Sequence, residues 1–123
     1  MPSAEDISQA VNRYIETMAK GRADDLVEFF ADDATLEDPV GGEVHIGRQA
    51  IHGFFANVEN LNRDSELVTL RVAGNEAAFL FRLTVDYGEN RMRIEPIEVQ
   101  VFDDEGKITS MKAYWSLADM TQL

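Results

Sequence analysis

Cysteine is absent from this chain, which excludes disulfides, thiolate metal sites and a cysteine nucleophile. Histidine is nearly absent. His45 and His52 are the only two, and neither lies in an H-x-H or H-E-x-x-H pattern, so no metal site is expected. Basic residues are scarce, 11 Lys and Arg against 23 Asp and Glu, and the net charge of −12 would repel a phosphate backbone over most of the surface. Nucleic acid and anionic membranes are therefore not expected as partners. No apolar run approaches the roughly 18–20 residues of a membrane span. The opening run Met1-Pro2-Ser3-Ala4-Glu5-Asp6 has neither a basic n-region nor an apolar h-region, so no signal peptide is expected, and the default location is cytoplasmic. Linkers, low-complexity tracts and internal repeats are missing too. With 45% hydrophobic and 28% charged residues, the composition is that of an ordinary soluble globular protein. The expectation is one domain over residues 1–123, large enough to bury about two-thirds of the unfolded chain's surface.

What is present divides by hydrophobic period. Ser3 followed by Ala4-Glu5-Asp6 reads as an N-cap with an acidic first turn. Ile7, Val11, Tyr14, Ile15 and Met18 then recur at helical spacing, and Gly21 ends the segment. A short second helix is predicted around Asp24 to Phe30, a brief strand over Ala34 to Asp38, and a third helix from about Arg48 to Glu59 with an Ile51, Phe54, Phe55, Val58 stripe. From residue 64 the period becomes two. Glu66 to Val72, Ala77 to Tyr87, Arg91 to Phe102 and Ile108 to Ser116 read as strands. Gly74-Asn75, Gly88-Glu89-Asn90 and Asp103-Asp104-Glu105-Gly106 supply hairpin turns between them. Helices set before an antiparallel sheet define an α+β domain.

Three polar residues stand out. Asp38 ends a strand immediately before Pro39, Val40, Gly41 and Gly42, a corner that rigid backbone positions while the side chain faces either solvent or a cavity. Tyr14 lies on the apolar stripe of the first helix, so its hydroxyl needs a buried partner, structural or functional. Glu98 shares a strand face with Gln100 and Phe102, opposite Ile97, Val99 and Val101. On a solvated face Glu98 is one more surface carboxylate; lining a cavity, it would be pushed towards the neutral acid by desolvation. Pro96, inside the same run, indicates an edge position or a bulge.

Arg13-Tyr14, the run from Phe29 to Gly41, Asn75-Glu76-Ala77-Ala78-Phe79, Pro96-Ile97-Glu98 and Met111-Lys112-Ala113-Tyr114-Trp115-Ser116 resemble, in order, segments of the bacterial ketosteroid isomerases. The resemblance covers about residues 7–117. It implies the cone-shaped fold shared with nuclear transport factor 2, in which a curved antiparallel sheet wraps around the N-terminal helices. It also implies a cofactor-free Δ5-to-Δ4 isomerisation of a steroid-like substrate, and a homodimer. These isomerases are an established example of a carboxylic acid kept neutral at neutral pH, and the mechanism enters here by that likeness. Tyr14 then matches the family's oxyanion donor, Asp38 its proton-transferring base, and Glu98 the position that usually carries an aspartic acid. Phe30 and Phe55 stand where some members have supporting tyrosines. Phe55, Phe81, Leu83, Val85, Phe102 and Trp115 are the expected apolar substrate wall. The competing readings are a non-catalytic binder of steroid-like ligands and another reaction on this scaffold, a cyclase, dehydratase or epoxide hydrolase. The latter would be favoured by His52 or Arg82 facing the cavity.

Overall fold

The computed structural model describes all 123 residues. In chain order it contains α1 (Ala4–Lys20), α2 (Ala23–Val27), β1 (Phe30–Glu37), β2 (Val44–Ile46), α3 (Arg48–Ala56), β3 (Asn62–Ala73), β4 (Glu76–Tyr87), β5 (Asn90–Ile94), β6 (Ile97–Phe102), β7 (Ile108–Tyr114) and β8 (Met120–Gln122). The predicted cap of α1 is a reciprocal capping box. Asp6 N–H donates to Ser3 Oγ at 3.0 Å and Ser3 N–H donates to Asp6 Oδ2 at 3.2 Å. Ile7, Val11, Tyr14, Ile15 and Met18 are all buried, and this stripe packs on β3 and β4. Gly21 ends α1 with φ −85°, so the left-handed region is not the reason for a glycine. Close approach is the reason, because a Cβ there would sit 2.5 Å from Thr17 Cγ2 and 2.9 Å from Thr17 O.

The eight strands form one curved, unclosed sheet in the order β2-β1-β7-β6-β4-β5-β8, with β3 on the other edge of β4. The three predicted hairpins, β3–β4, β4–β5 and β6–β7, are antiparallel as expected. Gly74, Gly88 and Gly106 take the positive φ values their turns require. Two expectations change. The sheet is mixed, because β1 runs parallel to β7, a pairing that needs a long crossover and leaves no mark on local periodicity. That pairing also draws Phe30 into β1 opposite Ile108, so α2 stops at Val27. The strand predicted over 91–102 is two strands, interrupted at Glu95-Pro96. On β4, residues 83–87 pair with β5 and residues 76–80 pair with β6. At the break Phe81 N–H donates to Pro96 O at 3.3 Å. On the other side of Phe81 the β3 register slips between Leu67 and Thr69. Irregularities on both flanks of one residue increase local bending, and the concave face they help create holds the core and a cavity.

Candidate functional site

The cavity has a volume of about 160 Å³ and is predominantly apolar. One wall is β4, from which Phe81, Leu83 and Val85 project at the strand period; Phe55 and Phe54 close the other side from α3. Asp38, Glu98 and Trp115 also line it. Sequence reasoning placed all of these except Phe54 in the site and also missed Met18, Val58 and Ile94. Phe54 and Val58 belong to the apolar stripe predicted over Arg48 to Glu59, and Val58 lies just past the end of α3. Phe102 is buried on the predicted inner face, yet it lies four residues along β6 from Glu98, about 13 Å at the usual rise. There it lines a depression beside Asp6 and Ala10, outside the cavity. The expectation that it forms substrate wall is corrected accordingly.

Asp38 is fixed from two directions. The peptide bond to Pro39 is cis, and Gly41 N–H donates to Glu37 Oε2 at 2.9 Å, closing the turn that follows. Val40 N–H then donates to Ala113 O at 2.8 Å, tying the turn to β7. The end of β7 leads into Trp115, whose indole N–H donates to Asp38 Oδ1 at 2.7 Å. This bond is absent from the sequence reading. Its only signal there was a lone tryptophan whose N–H must find an acceptor once half-buried. Burial pushes the Asp38 carboxyl above its ordinary range, and the Trp115 hydrogen bond and the nearby His45 pull it back down.

Glu98 sits in β6 opposite Phe79 of β4 and Ala113 of β7, 2% exposed, with Oε1 lacking any hydrogen-bond partner. Burial, followed by the Asp38 charge, holds its carboxyl well above the usual carboxylate range. Tyr14, 1% exposed, packs edge-on to Phe29 with ring centroids 5.7 Å apart. Burial, then Glu98 and Asp38, raise its hydroxyl well above that of a free tyrosine. Tyr14 and Glu98 are thus both driven towards their neutral, proton-donating forms, close enough to Asp38 to feel its charge. Phe30 and Phe55 are buried and in mutual contact, centroids 5.9 Å apart, offering the site packing without hydroxyls.

His52 Nε2 lies 2.7 Å from Asp24 Oδ1, an exposed His–Asp pair away from the cavity wall. Arg82 bridges Glu66 and Glu95 at 2.9 and 3.2 Å and is likewise not part of that wall. No group of three or more His, Asp or Glu side chains gathers as a metal would need.

The SnoaL-like domain family matches residues 11–111. A protein named steroid Delta-isomerase from Nocardioides simplex is 41% identical over 115 residues, 94% of each chain. In structure, SalBIII, described as an epoxide hydrolase/cyclase-like enzyme in pyran ring formation in the polyether salinomycin, superposes over 100% of both chains with a TM-score of 0.89 and 28% identity. A relative named as an isomerase at that identity and a matching family over most of the chain converge on one assignment: the chain is an isomerase of the SnoaL-like family and, within it, belongs to the ketosteroid isomerases.

Proposed function

We propose that this protein moves the double bond of a 3-oxo-Δ5 or Δ5(10) steroid into conjugation as the 3-oxo-Δ4 product. The single observation that carries the reading is a carboxylate, Asp38, held by the Trp115 N–H on the wall of an apolar cavity that is also lined by the buried Glu98. In the first step the Asp38 carboxylate removes the C4 proton, and the electron pair left behind delocalises onto O3 as a dienolate. Tyr14 O–H and neutral Glu98 O–H donate to that oxygen, whose charge grows only along the reaction, so their contribution falls on the transition state. In the second step the protonated Asp38 returns the proton to C6. An ionised Glu98 would repel the dienolate, which is why its burial without a cationic partner matters. Phe55, Phe81, Leu83, Val85 and Trp115 supply the apolar wall for fused rings. The cavity is narrower than the roughly 300–1,000 Å³ of common small-molecule sites, so entry of a steroid requires the side chains at its mouth to swing aside.

We further propose a cytoplasmic homodimer. Ile97 and Tyr114 are cross-strand partners on the outer sheet face, 50% and 47% exposed, with Leu80 adjoining Ile97 on β4. Such an apolar row is suited to a second copy. The epoxide hydrolase and cyclase readings lose support because neither His52 nor Arg82 faces the cavity. The test of function is the ultraviolet absorbance of the conjugated enone formed from 5-androstene-3,17-dione. The wild type should turn over, and Asp38→Asn should fold and bind yet lose several orders of magnitude in kcat, since an amide cannot accept the proton. Near-normal turnover by that variant would eliminate the mechanism.

A further inference from the structure

The mechanism leaves the most deeply buried polar side chain, Gln100, unused. Gln100 lies on the inner face of β6, two residues beyond Glu98, and is 0% exposed. Its amide Nε2 donates to Met111 Sδ at 3.3 Å, across the Gln100–Met111 pair of β6 and β7. Its Oε1 has no partner, and neither does Glu98 Oε1. Buried oxygens without a donor are rare, and each costs about 1–3 kcal/mol if left so. Here two occur as neighbours on one strand face, about 7 Å apart at the backbone by strand geometry and within mutual reach of two long side chains. Two acceptors cannot satisfy one another unless a proton lies between them. A neutral Glu98 has one such proton. Rotating the Gln100 amide would give Glu98 Oε1 an N–H, but would turn the amide oxygen onto the thioether and leave it unpaired. The arrangement that pairs both oxygens keeps Nε2 on Met111 and places the acid O–H of Glu98 on Gln100 Oε1.

We infer that Gln100 is a positioning residue that holds the acidic proton of Glu98 on the side away from the cavity before substrate enters, so that the substrate oxygen must compete with the Gln100 amide for that proton. This rests on the oxyanion role given to Glu98 above. The consequence runs against the usual effect of disturbing a buried polar group: removing the competitor should tighten oxyanion binding. A hydrogen bond of this kind is worth about 0.5–1.5 kcal/mol net, a factor of roughly 2–10.

The test replaces Gln100 by methionine, similar in length and set beside Met111. Infrared spectra of the apo protein should show a protonated-carboxyl C=O band that disappears in Glu98→Leu and moves to higher frequency in Gln100→Met, as its hydrogen bond is lost. Equilenin, a phenolic steroid whose oxygen stands in for the dienolate, should bind Gln100→Met about 2–10-fold more tightly, with no gain when Gln100→Met is placed on Glu98→Leu. Unchanged or weaker equilenin binding, a stationary band, or the same change in both backgrounds would overturn the inference. Should Gln100→Met fail to fold, Gln100→Leu is read by the same two measurements. The infrared shift is independent of turnover, so a shifted band in a protein that forms no conjugated enone would refute the proposed function while leaving the Glu98–Gln100 hydrogen bond standing.

Discussion

Replacing Trp115 by phenylalanine isolates a single interaction at the base. The indole N–H donates to Asp38 Oδ1 at 2.7 Å, and phenylalanine keeps a ring on the cavity wall while removing the donor. A hydrogen bond to a charged acceptor is worth about 1.5–3 kcal/mol, and 1.36 kcal/mol corresponds to one pH unit, so the loss should raise the Asp38 pKa by about 1–2 units. The sign follows from the groups present: burial already favours the protonated acid, and the Trp115 bond is the largest influence opposing it. Since the base must be ionised to act, the acid limb of kcat/KM, which reports the free enzyme, should move up by the same 1–2 units. At a pH below the new value, activity should fall by roughly 10–100-fold, while the plateau above it changes far less. The assay is enone formation across a pH series for both proteins. An acid limb that stays in place while the plateau drops at every pH would refute the reasoning and reduce Trp115 to packing.

Glu98→Leu should lower kcat by about 10²–10³, the usual cost of one oxyanion donor, in the same enone assay; unchanged turnover would place Glu98 outside the chemistry. The folded-state pKa of Glu98 is raised above its ordinary 4.5, so its contribution to stability is fully present below that pH and is lost as pH rises towards the folded value. Urea midpoints of the wild type should therefore decline from about pH 4.5 upward, and Glu98→Gln should flatten the decline; equal slopes would contradict a buried neutral acid. Ile97→Glu places a charge in the centre of the outer apolar row and should convert a dimer to a monomer in analytical ultracentrifugation. A wild type that sediments as a monomer would remove the dimer altogether.

The parts legible in the sequence are those fixed by neighbours in the chain. The Ser3 cap, the buried stripe from Ile7 to Met18 and the hairpin turns depend on spacings of a few residues, and each appears as read, whereas the alternation in β6 defined two faces without saying which one is inward. The family resemblance pointed to Tyr14, Asp38 and Glu98; the structure buries Tyr14 and Glu98 and sets Asp38 and Glu98 on the cavity wall. What was not legible depends on distant partners. The parallel β1–β7 pair joins residues more than seventy positions apart, and the Trp115–Asp38 bond spans 77. Phe102 shows how a correct face still misplaces a residue: alternation predicts direction, while distance along the strand decides which part of the interior it reaches. The division of residues 91–102 was signalled by Pro96, but only the pairing of both pieces with β4 locates the bend.

The parallel pairing of β1 with β7 has a consequence for motion. Leu36 and Glu37 are aligned with Met111 and Lys112, and Val40 N–H continues the connection to Ala113. Asp38 lies between Glu37 and Val40, and Trp115 directly follows Tyr114, the last residue of β7. To drift apart, base and donor would have to open several backbone hydrogen bonds together, an event belonging to cooperative unfolding more than to loop fluctuation. Amide hydrogen exchange at Val40 therefore serves as a clock for the pair. Its protection should approach that of the buried β7 amides, and any variant that speeds it should widen the spread of base-to-substrate distances before it alters the average position.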